Sequence, residues 1–185
     1  MNAQIDISGI VLKTERLILR PWQQSDLDDF YEYASVDGVG QMAGWLPHES
    51  KETTQIILDS FITHKKTFAL ELDGKVIGSL GIESYKEDEF PDLNELHGRS
   101  IGYVLSKDYW GQGLMPEAVK AVLQYLFDKV GLDFTVISHF LRNDQSRRVI
   151  EKSGFTYLRP GVHETRYGTT ENVLEYILWK EDWKE

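Results

Sequence analysis

The apolar residues of this chain recur with two different spacings, and each change of spacing predicts a new element. Residues 68–72 and 75–82 are two short, mainly apolar segments, and Asp73-Gly74 between them supplies the positive φ angles that a tight hairpin turn requires. The pattern therefore predicts two adjacent antiparallel strands. Further β-rich strands are predicted at residues 11–20, 99–105, 134–140, 157–166 and 173–179, the last two forming a terminal hairpin.

Apolar residues spaced three and four apart predict four helices. Residues 25–28 have the form of a capping box, which predicts a helix that begins there and ends near residues 37–38. The helix predicted over residues 51–65 has an apolar stripe that includes Ile56 and Phe61. The other two helices are predicted from Pro116 to a stop at Gly131, and over residues 144–152.

The order of these elements predicts a mixed α+β sheet with flanking helices. A doubly wound parallel fold would alternate strands and helices throughout, and the hairpin at Asp73-Gly74 interrupts that alternation. No repeat, low-complexity tract or linker divides the sequence, so residues 1–185 are expected to form a single domain.

Composition and charge narrow the classes of function. The 185 residues are 41% apolar and include no cysteine, which argues against disorder and excludes thiolate metal sites and a cysteine nucleophile. The formal charge of −10 repels phosphate backbones and anionic lipids, so neither nucleic acid nor a membrane is expected as a partner. The five histidines lack metal-ligand spacing, so no metal is expected. Without a leader-like or membrane-spanning apolar run, the protein is expected to be cytoplasmic.

The segment from residue 101 to residue 118 predicts an anion site. A β-rich strand runs into a turn that contains Gly111 and Gly113, and Pro116 and Glu117 suit the first turn of a helix. Bare glycines leave backbone N–H groups open to a ligand, and the helix N-terminus adds donors, so phosphate is the expected guest. A Walker loop is excluded because no Lys-Ser/Thr follows, and a dinucleotide fingerprint fits poorly because proline replaces its third glycine.

Three blocks of sequence resemble, as a set, the GNAT acetyltransferases. Residues 110–115, Trp-Gly-Gln-Gly-Leu-Met, resemble the glycine motif of that family, with Gly113 as the central glycine. Residues 143–155 resemble its Asn-x-x-Ser helix and closing Gly-Phe, and residues 14–21 resemble the opening strand of the ribosomal-protein N-terminal acetyltransferase branch. The blocks stand in family order and span nearly the whole chain.

The resemblance implies the fold, the reaction and the cofactor. It implies a twisted sheet of about seven strands in which two central parallel strands, here residues 99–105 and 134–140, splay apart. The implied reaction is direct attack of a primary amine on the thioester of acetyl-CoA. The cofactor-binding residues that the resemblance implies are Tyr103, Val104, Leu105, Trp110, Gly111, Gln112, Gly113, Leu114, Met115, Asn143, Ser146 and Arg147.

Two details of this cofactor site carry their own expectations. Met115 replaces a small residue of the family pattern, and Pro116 removes a backbone donor, so weaker or re-aimed phosphate contacts are expected. Residues 103–105 are expected to line the pantetheine arm, with a backbone N–H at a bulge there meeting the thioester oxygen.

The departing thiolate needs a proton or a hydrogen bond, and Ser146 is the candidate for that role. The resemblance places Asn143 against the pantetheine and Ser146 near the sulfur. Because Asn and Ser are also favoured helix caps, a purely capping role for both is the alternative.

Several residues are candidates for the general base. His139 precedes the Asn143 block on a central strand, and the ordinary pKa of imidazole suits the task. Glu83, Glu95 and His97 near the strand ends compete with it, and deprotonation through water stays open.

The acceptor is expected to be a small-molecule amine or a protein N-terminus. The acidic residues within 83–95 favour a cationic acceptor, and Trp45 and Tyr85 are candidates to line its pocket. The alternatives are a catalytically silent CoA-binding sensor or interaction module, and a structural protein that keeps the fold without a ligand. The protein is expected to be a monomer or a homodimer.

Overall fold

The computed structural model describes residues 1–184, so the last residue of the predicted domain lies outside the described residues. Eight strands form one sheet in the order β1-β2-β3-β4-β5-β6-β8-β7. The strands are β1 (Leu12–Lys13), β2 (Ile18–Pro21), β3 (Thr67–Leu72), β4 (Lys75–Glu83), β5 (Gly98–Leu105), β6 (Phe134–Phe140), β7 (Thr156–Glu164) and β8 (Thr170–Trp179). The helices are α1 (Leu27–Ala34), α2 (Lys51–His64), α3 (Leu114–Tyr125) and α4 (Asp144–Lys152).

The predicted α+β class and the mixed sheet are confirmed, with one more strand than expected. The segment 11–20 does not form one strand, because the N–H of Thr14 donates to the carbonyl of Leu17 at 2.9 Å and closes a turn there. β1 then folds back antiparallel on β2. The prediction of a single strand was wrong because alternation identifies a β-rich segment but not a tight turn within it.

The central pair of strands separates as predicted. β5 and β6 run parallel and pair only from Gly98–Phe134 to Ser100–Val136. Beyond these three residue pairs β5 continues to Leu105 beside β4, while β6 continues to Phe140 beside β8. A gap therefore opens inside the sheet, between two strands that are each supported on their other side.

Helices cover both faces of the sheet. α3 and Ile150 of α4 pack on one face, together with Phe68 and Leu70 of β3. α1 and α2 pack on the other face, against the intervening Ala69. This alternation along β3 follows from the period of two in a strand and explains why its residues are buried on both sides.

Two details of the predicted helices were wrong. α1 begins after Asp26, whose carboxylate accepts the N–H of Gln23 at 2.8 Å, so the capping carboxylate lies earlier than residues 25–28 suggested. In α2 the buried apolar residue is Leu58, and Ile56 is 69% exposed. Spacing alone did not define which side of this weakly amphipathic helix faces the sheet.

Among the helices of residues 1–184, none is long and apolar enough to cross a membrane.

Candidate functional site

A cavity of about 770 Å³ opens where β5 and β6 separate. The glycine turn that precedes α3 borders it, and so do aromatic residues such as Trp45 on the face covered by α1 and α2. The cavity therefore reaches both faces of the sheet through the gap. Two different molecules can meet in such a passage, one entering from each face.

Small residues make the floor of this cavity on the α1/α2 face. Gly81 of β4 lies opposite Gly102 of β5 in the antiparallel register, and Ser79 and Ser100 stand on the same face. A Cβ atom added to Gly102 would have no heavy atom within 4 Å, whereas one added to Gly98 would lie 2.2 Å from the Phe134 ring. On this face of β5, Gly98 is therefore packed against its neighbour and Gly102 is open, and the parallel pairing with β6 ends between them at Ser100. This floor was not predicted from the sequence, although small residues at alternate strand positions, such as Ser79 and Gly81, indicate an open strand face.

The glycine turn has the geometry of an anion cradle. Gly111 and Gly113 have φ angles of 76° and 77°, which glycine adopts without strain, and α3 begins at Leu114. A Cβ on Gly111 would meet no heavy atom within 4 Å, so the turn is open to a ligand. Met115 is 5% exposed and packs in the core beneath α3, while Pro116 leaves one fewer N–H at the helix start. The turn therefore fits a phosphate group through its backbone.

A side-chain clamp holds this turn to the N-terminal hairpin. Arg16 donates from Nη1 to the carbonyl of Gln112 at 2.9 Å and from Nε to Glu117 Oε2 at 2.8 Å. Glu117 also accepts from Thr14 Oγ1 at 2.5 Å. Burial raises the pKa of Glu117, but the hydrogen bonds from Thr14 and Arg16 outweigh it and lower the pKa overall. The stabilisation is therefore present above the ordinary pKa of a glutamate and is lost as pH falls through the lowered value.

We expect Arg16→Gln to raise the KM for acetyl-CoA about tenfold and to change kcat less than about twofold. The variant loses a positive charge beside the turn and releases the carbonyl of Gln112. It also leaves Glu117 without its ion-pair partner beside the expected phosphate site, with only Thr14 Oγ1 and the backbone N–H of residue 16 still donating to it. Steady-state kinetics with varied acetyl-CoA measure both constants. Lys13→Gln, an exposed neighbour with the same change of charge, is the control. If the KM for acetyl-CoA were unchanged in Arg16→Gln, the clamp would have no part in binding the cofactor.

The basic residues of α4 divide into two groups. Arg148 and Lys152 line the cavity, and Arg147 instead pairs with Asp144 at 3.2 Å. Arg147, one of the cofactor-binding residues that the resemblance implies, therefore pairs within its own helix. Arg148 and Lys152, one turn apart, are the cations that the structure offers to a phosphate.

Asn143 and Ser146 are brought together with Tyr103 across the gap. Asn143 Oδ1 accepts the N–H of Ser146 at 3.1 Å, so Asn143 caps α4 as the capping alternative expected. The hydroxyl oxygens of Ser146 and Tyr103 lie 3.0 Å apart. Burial raises the pKa of Tyr103, so its hydroxyl keeps its proton near neutral pH. A hydrogen bond between two neutral hydroxyls therefore links β5 to α4.

The backbone of residues 103–105 borders the gap without the expected bulge. The pairing of β4 with β5 runs without a register shift from Gly78–Leu105 to Glu83–Ser100. The prediction of a bulge was therefore wrong, because β4 keeps this end of β5 regular. Past Ser100, β6 no longer pairs with the β5 backbone, and Trp110 Nε1 donates to the carbonyl of Leu105 at 2.8 Å. The remaining gap-facing groups are available to an extended ligand.

The candidate bases occupy different environments. His139 is 5% exposed, and its Nδ1 and Nε2 lie 2.9 Å from the carbonyl oxygen of Phe140 and 3.3 Å from the hydroxyl of Tyr176. Glu83 is exposed at the end of β4, and its Oε1 would lie 2.6 Å from a Cβ added to Gly81. The Glu83 carboxylate therefore lies over the cavity floor, whereas both nitrogens of His139 already have partners.

Of the four remaining candidate residues, two line the cavity and two do not. Trp45 and Tyr85 line the cavity, as expected for an acceptor pocket. Glu95 and His97 do not line it, and His97 lies beside Asp133 instead, with 3.9 Å between Nδ1 and Oδ2. Within residues 1–184, no group of three or more His, Cys, Asp or Glu side chains is placed to hold a metal ion.

Comparison with known proteins agrees with this geometry. The chain is 28% identical over 153 residues to the uncharacterized N-acetyltransferase YoaA of Bacillus subtilis, covering 78% of this chain and 82% of YoaA. A GNAT-family acetyltransferase from Bacillus anthracis has a similar structure, with a TM-score of 0.79, 22% identity, and coverage of 93% and 99% of the two chains. The ribosomal-protein-S5-alanine acetyltransferase of Vibrio fischeri superposes with a TM-score of 0.70 at 21% identity, over 95% and 100%.

A family description, that of the acetyltransferase (GNAT) domain, matches residues 16–156. That segment runs from Arg16 of the clamp through the glycine turn and α4 to the first residue of β7. The chain therefore belongs to the GNAT family of acetyltransferases.

Proposed function

We propose that this protein transfers an acetyl group from acetyl-CoA to a primary amine of a small molecule or a protein N-terminus. The observation that carries the proposal is the gap between β5 and β6, which has a phosphate cradle on one side and an unpaired carboxylate on the other. A cofactor and an acceptor that enter from opposite faces would meet at the open floor beside Gly102.

Backbone groups and cationic side chains together bind the cofactor. The N–H groups of residues 111–114 bind the pyrophosphate, and Arg148 and Lys152 add positive charge. The gap-facing backbone of residues 103–105 holds the extended pantetheine arm, and Asn143 fixes the start of α4 beside it. Acetyl-CoA supplies an acetyl group that is activated as a thioester.

Two groups of this chain move the protons. Glu83 accepts the proton that the acceptor ammonium loses before attack and passes it to solvent, because its carboxylate lies in the cavity without an ion pair. The Ser146 hydroxyl is held by the neutral Tyr103 hydroxyl beside the leaving sulfur. As the C–N bond forms and the C–S bond breaks, Ser146 gives its proton to the sulfur and takes the second proton of the attacking amine, so CoA leaves as the thiol. His139 remains a weaker candidate for the base, since both of its nitrogens have protein partners.

Thermal-shift titrations with acetyl-CoA, CoA and ATP test the cofactor first. At about 100 times Kd, a ligand adds about 2.7 kcal/mol, which for a domain of this size raises Tm by roughly 5–10 °C. We expect both CoA species, and not ATP, to give this shift. The double variant Arg148→Gln/Lys152→Gln is expected to lose most of it, while Lys129→Gln/Lys184→Gln, with two exposed lysines changed, is the charge-matched control.

Thiol release with a panel of peptides, amino acids and polyamines then tests the reaction. Release that depends on the amine supports acetyl transfer. A shift with both CoA species but no release with any amine would favour the silent CoA-binding module. No shift with either species would overturn the proposal.

A further inference from the structure

Three carboxylates line the cavity, those of Glu83, Glu89 and Glu175, and two of them form ion pairs with neighbouring cations. Glu89 lies 2.8 Å from Lys86 Nζ and 3.3 Å from Arg159 Nη2, and Glu175 accepts from Arg159 Nε at 2.5 Å. Glu83 forms no ion pair within 4 Å in the part of the chain that the structure describes, although its charge acts on the buried Arg99, where burial lowers the pKa of the guanidinium and Glu83 opposes that shift. The expected preference for a strongly cationic acceptor therefore reduces to one carboxylate without an ion pair, which suits one amine.

A positive charge lines the same cavity from the tip of the β7–β8 hairpin. Arg166 borders the cavity, and its backbone N–H donates to the carbonyl of Gly44 at 2.8 Å. This bond fastens the hairpin tip to the loop before Trp45. Across residues 1–184, no carboxylate forms an ion pair with the Arg166 guanidinium, whereas Arg142 pairs with Glu171 at 3.2 Å. The backbone of Arg166 is thus fixed at the mouth of the cavity, while its exposed side chain forms no ion pair within residues 1–184.

Two imidazoles beside Arg166 do not change this charge. Burial lowers the pKa values of His48 and His163, and the charge of Arg166 lowers both further, so both rings are neutral near pH 7. The His163 ring also packs on Phe140, with centroids 5.6 Å apart. An anion at this end of the cavity would face one full positive charge beside an aromatic wall.

We propose that the acceptor carries a carboxylate as well as a primary amine, and that Arg166 binds the carboxylate. The inference rests on the proposed function and names the class of acceptor: a small, amino-acid-like molecule with an apolar body. Glu83 faces the amine, Arg166 pairs with the carboxylate, and Trp45, Phe140 and Val162 contact the body between them. A polyamine would instead place a second cation against Arg166, which disfavours it.

The test compares two acceptors that differ only in the charge at one end. 4-(Aminomethyl)benzoate and 4-(aminomethyl)benzamide have the same aromatic body and amines of similar basicity. We expect wild-type kcat/KM to be about tenfold higher for the benzoate. In Arg166→Gln, kcat/KM for the benzoate is expected to fall about tenfold, so that the preference disappears. Lys129→Gln removes the same charge from an exposed residue outside the cavity lining, and this variant is expected to keep the preference for the benzoate.

Each outcome bears on the inference separately from the proposed function. Equal kcat/KM for the two acceptors in the wild type, or an unchanged ratio in Arg166→Gln, would overturn the carboxylate site. Thiol release with other amines but with neither probe would also overturn it, while acetyl transfer would stand. If no amine on the panel released thiol, the proposed function would fail and the inference would fall with it.

Discussion

Glu83→Gln is expected to lower kcat at pH 7 by about 10²–10³-fold, because the amide has the shape of the carboxylate but cannot take a proton from the amine. The KM for acetyl-CoA is expected to change little, since Glu83 lies on the α1/α2 face of the sheet, whereas the glycine turn leads into α3 on the opposite face.

Asp92→Asn is the control for Glu83→Gln. Asp92 belongs to the same acidic segment but is exposed and does not line the cavity, so its removal is expected to leave kcat within about twofold. If Glu83→Gln kept its activity, deprotonation through water or by His139 would replace the carboxylate in the mechanism.

Gly102→Val is expected to lower kcat/KM by at least about 100-fold with little change in Tm. The valine side chain would project into the open space that we propose as the meeting point of acetyl group and amine, since nothing lies within 4 Å of the added Cβ. Stability is expected to hold because β-branched residues suit strands and the position does not face packed atoms. Kinetics and a thermal melt on the same preparation measure the two effects.

Thr170→Val serves as the comparison for Gly102→Val. It places valine at an exposed strand position that does not border the cavity, and its activity is expected to match the wild type. A Gly102→Val variant that is active, or one that is inactive because it has unfolded, would contradict the assignment of this floor to the reaction centre.

Local sequence signals predicted the elements whose geometry is local. Asp73 and Gly74 have φ angles of 50° and 82°, so the turn chemistry alone was enough to place the β3–β4 hairpin. The strand over residues 134–140 and the helix over 144–152 have the predicted bounds, because β-branched residues define the first, and Asn143 caps the second. The glycine turn was likewise readable from Gly111 and Gly113.

Contacts between distant residues were not predictable in this way. Arg16 and Glu117 are 101 positions apart, and no spacing rule connects them. The partner of His139, Tyr176, is set by the register of β6 with β8, which the sequence pattern leaves open. Sequence reasoning therefore found the candidate bases Glu83 and His139 but had no means to rank them.

The gap between β5 and β6 is also the boundary between two halves of the chain. Residues up to Leu105 form strands β1 to β5, which pair with one another antiparallel. The parallel pairing of β5 with β6 joins these strands to the C-terminal half. The clamp of Arg16 on Glu117 and the bond between Tyr103 and Ser146 cross the same boundary. Contacts of such long sequence separation close large loops, and their entropic cost delays them during folding. We therefore expect competence to bind acetyl-CoA to arise among the last events of folding, and the cofactor to stabilise the joined halves rather than either half alone.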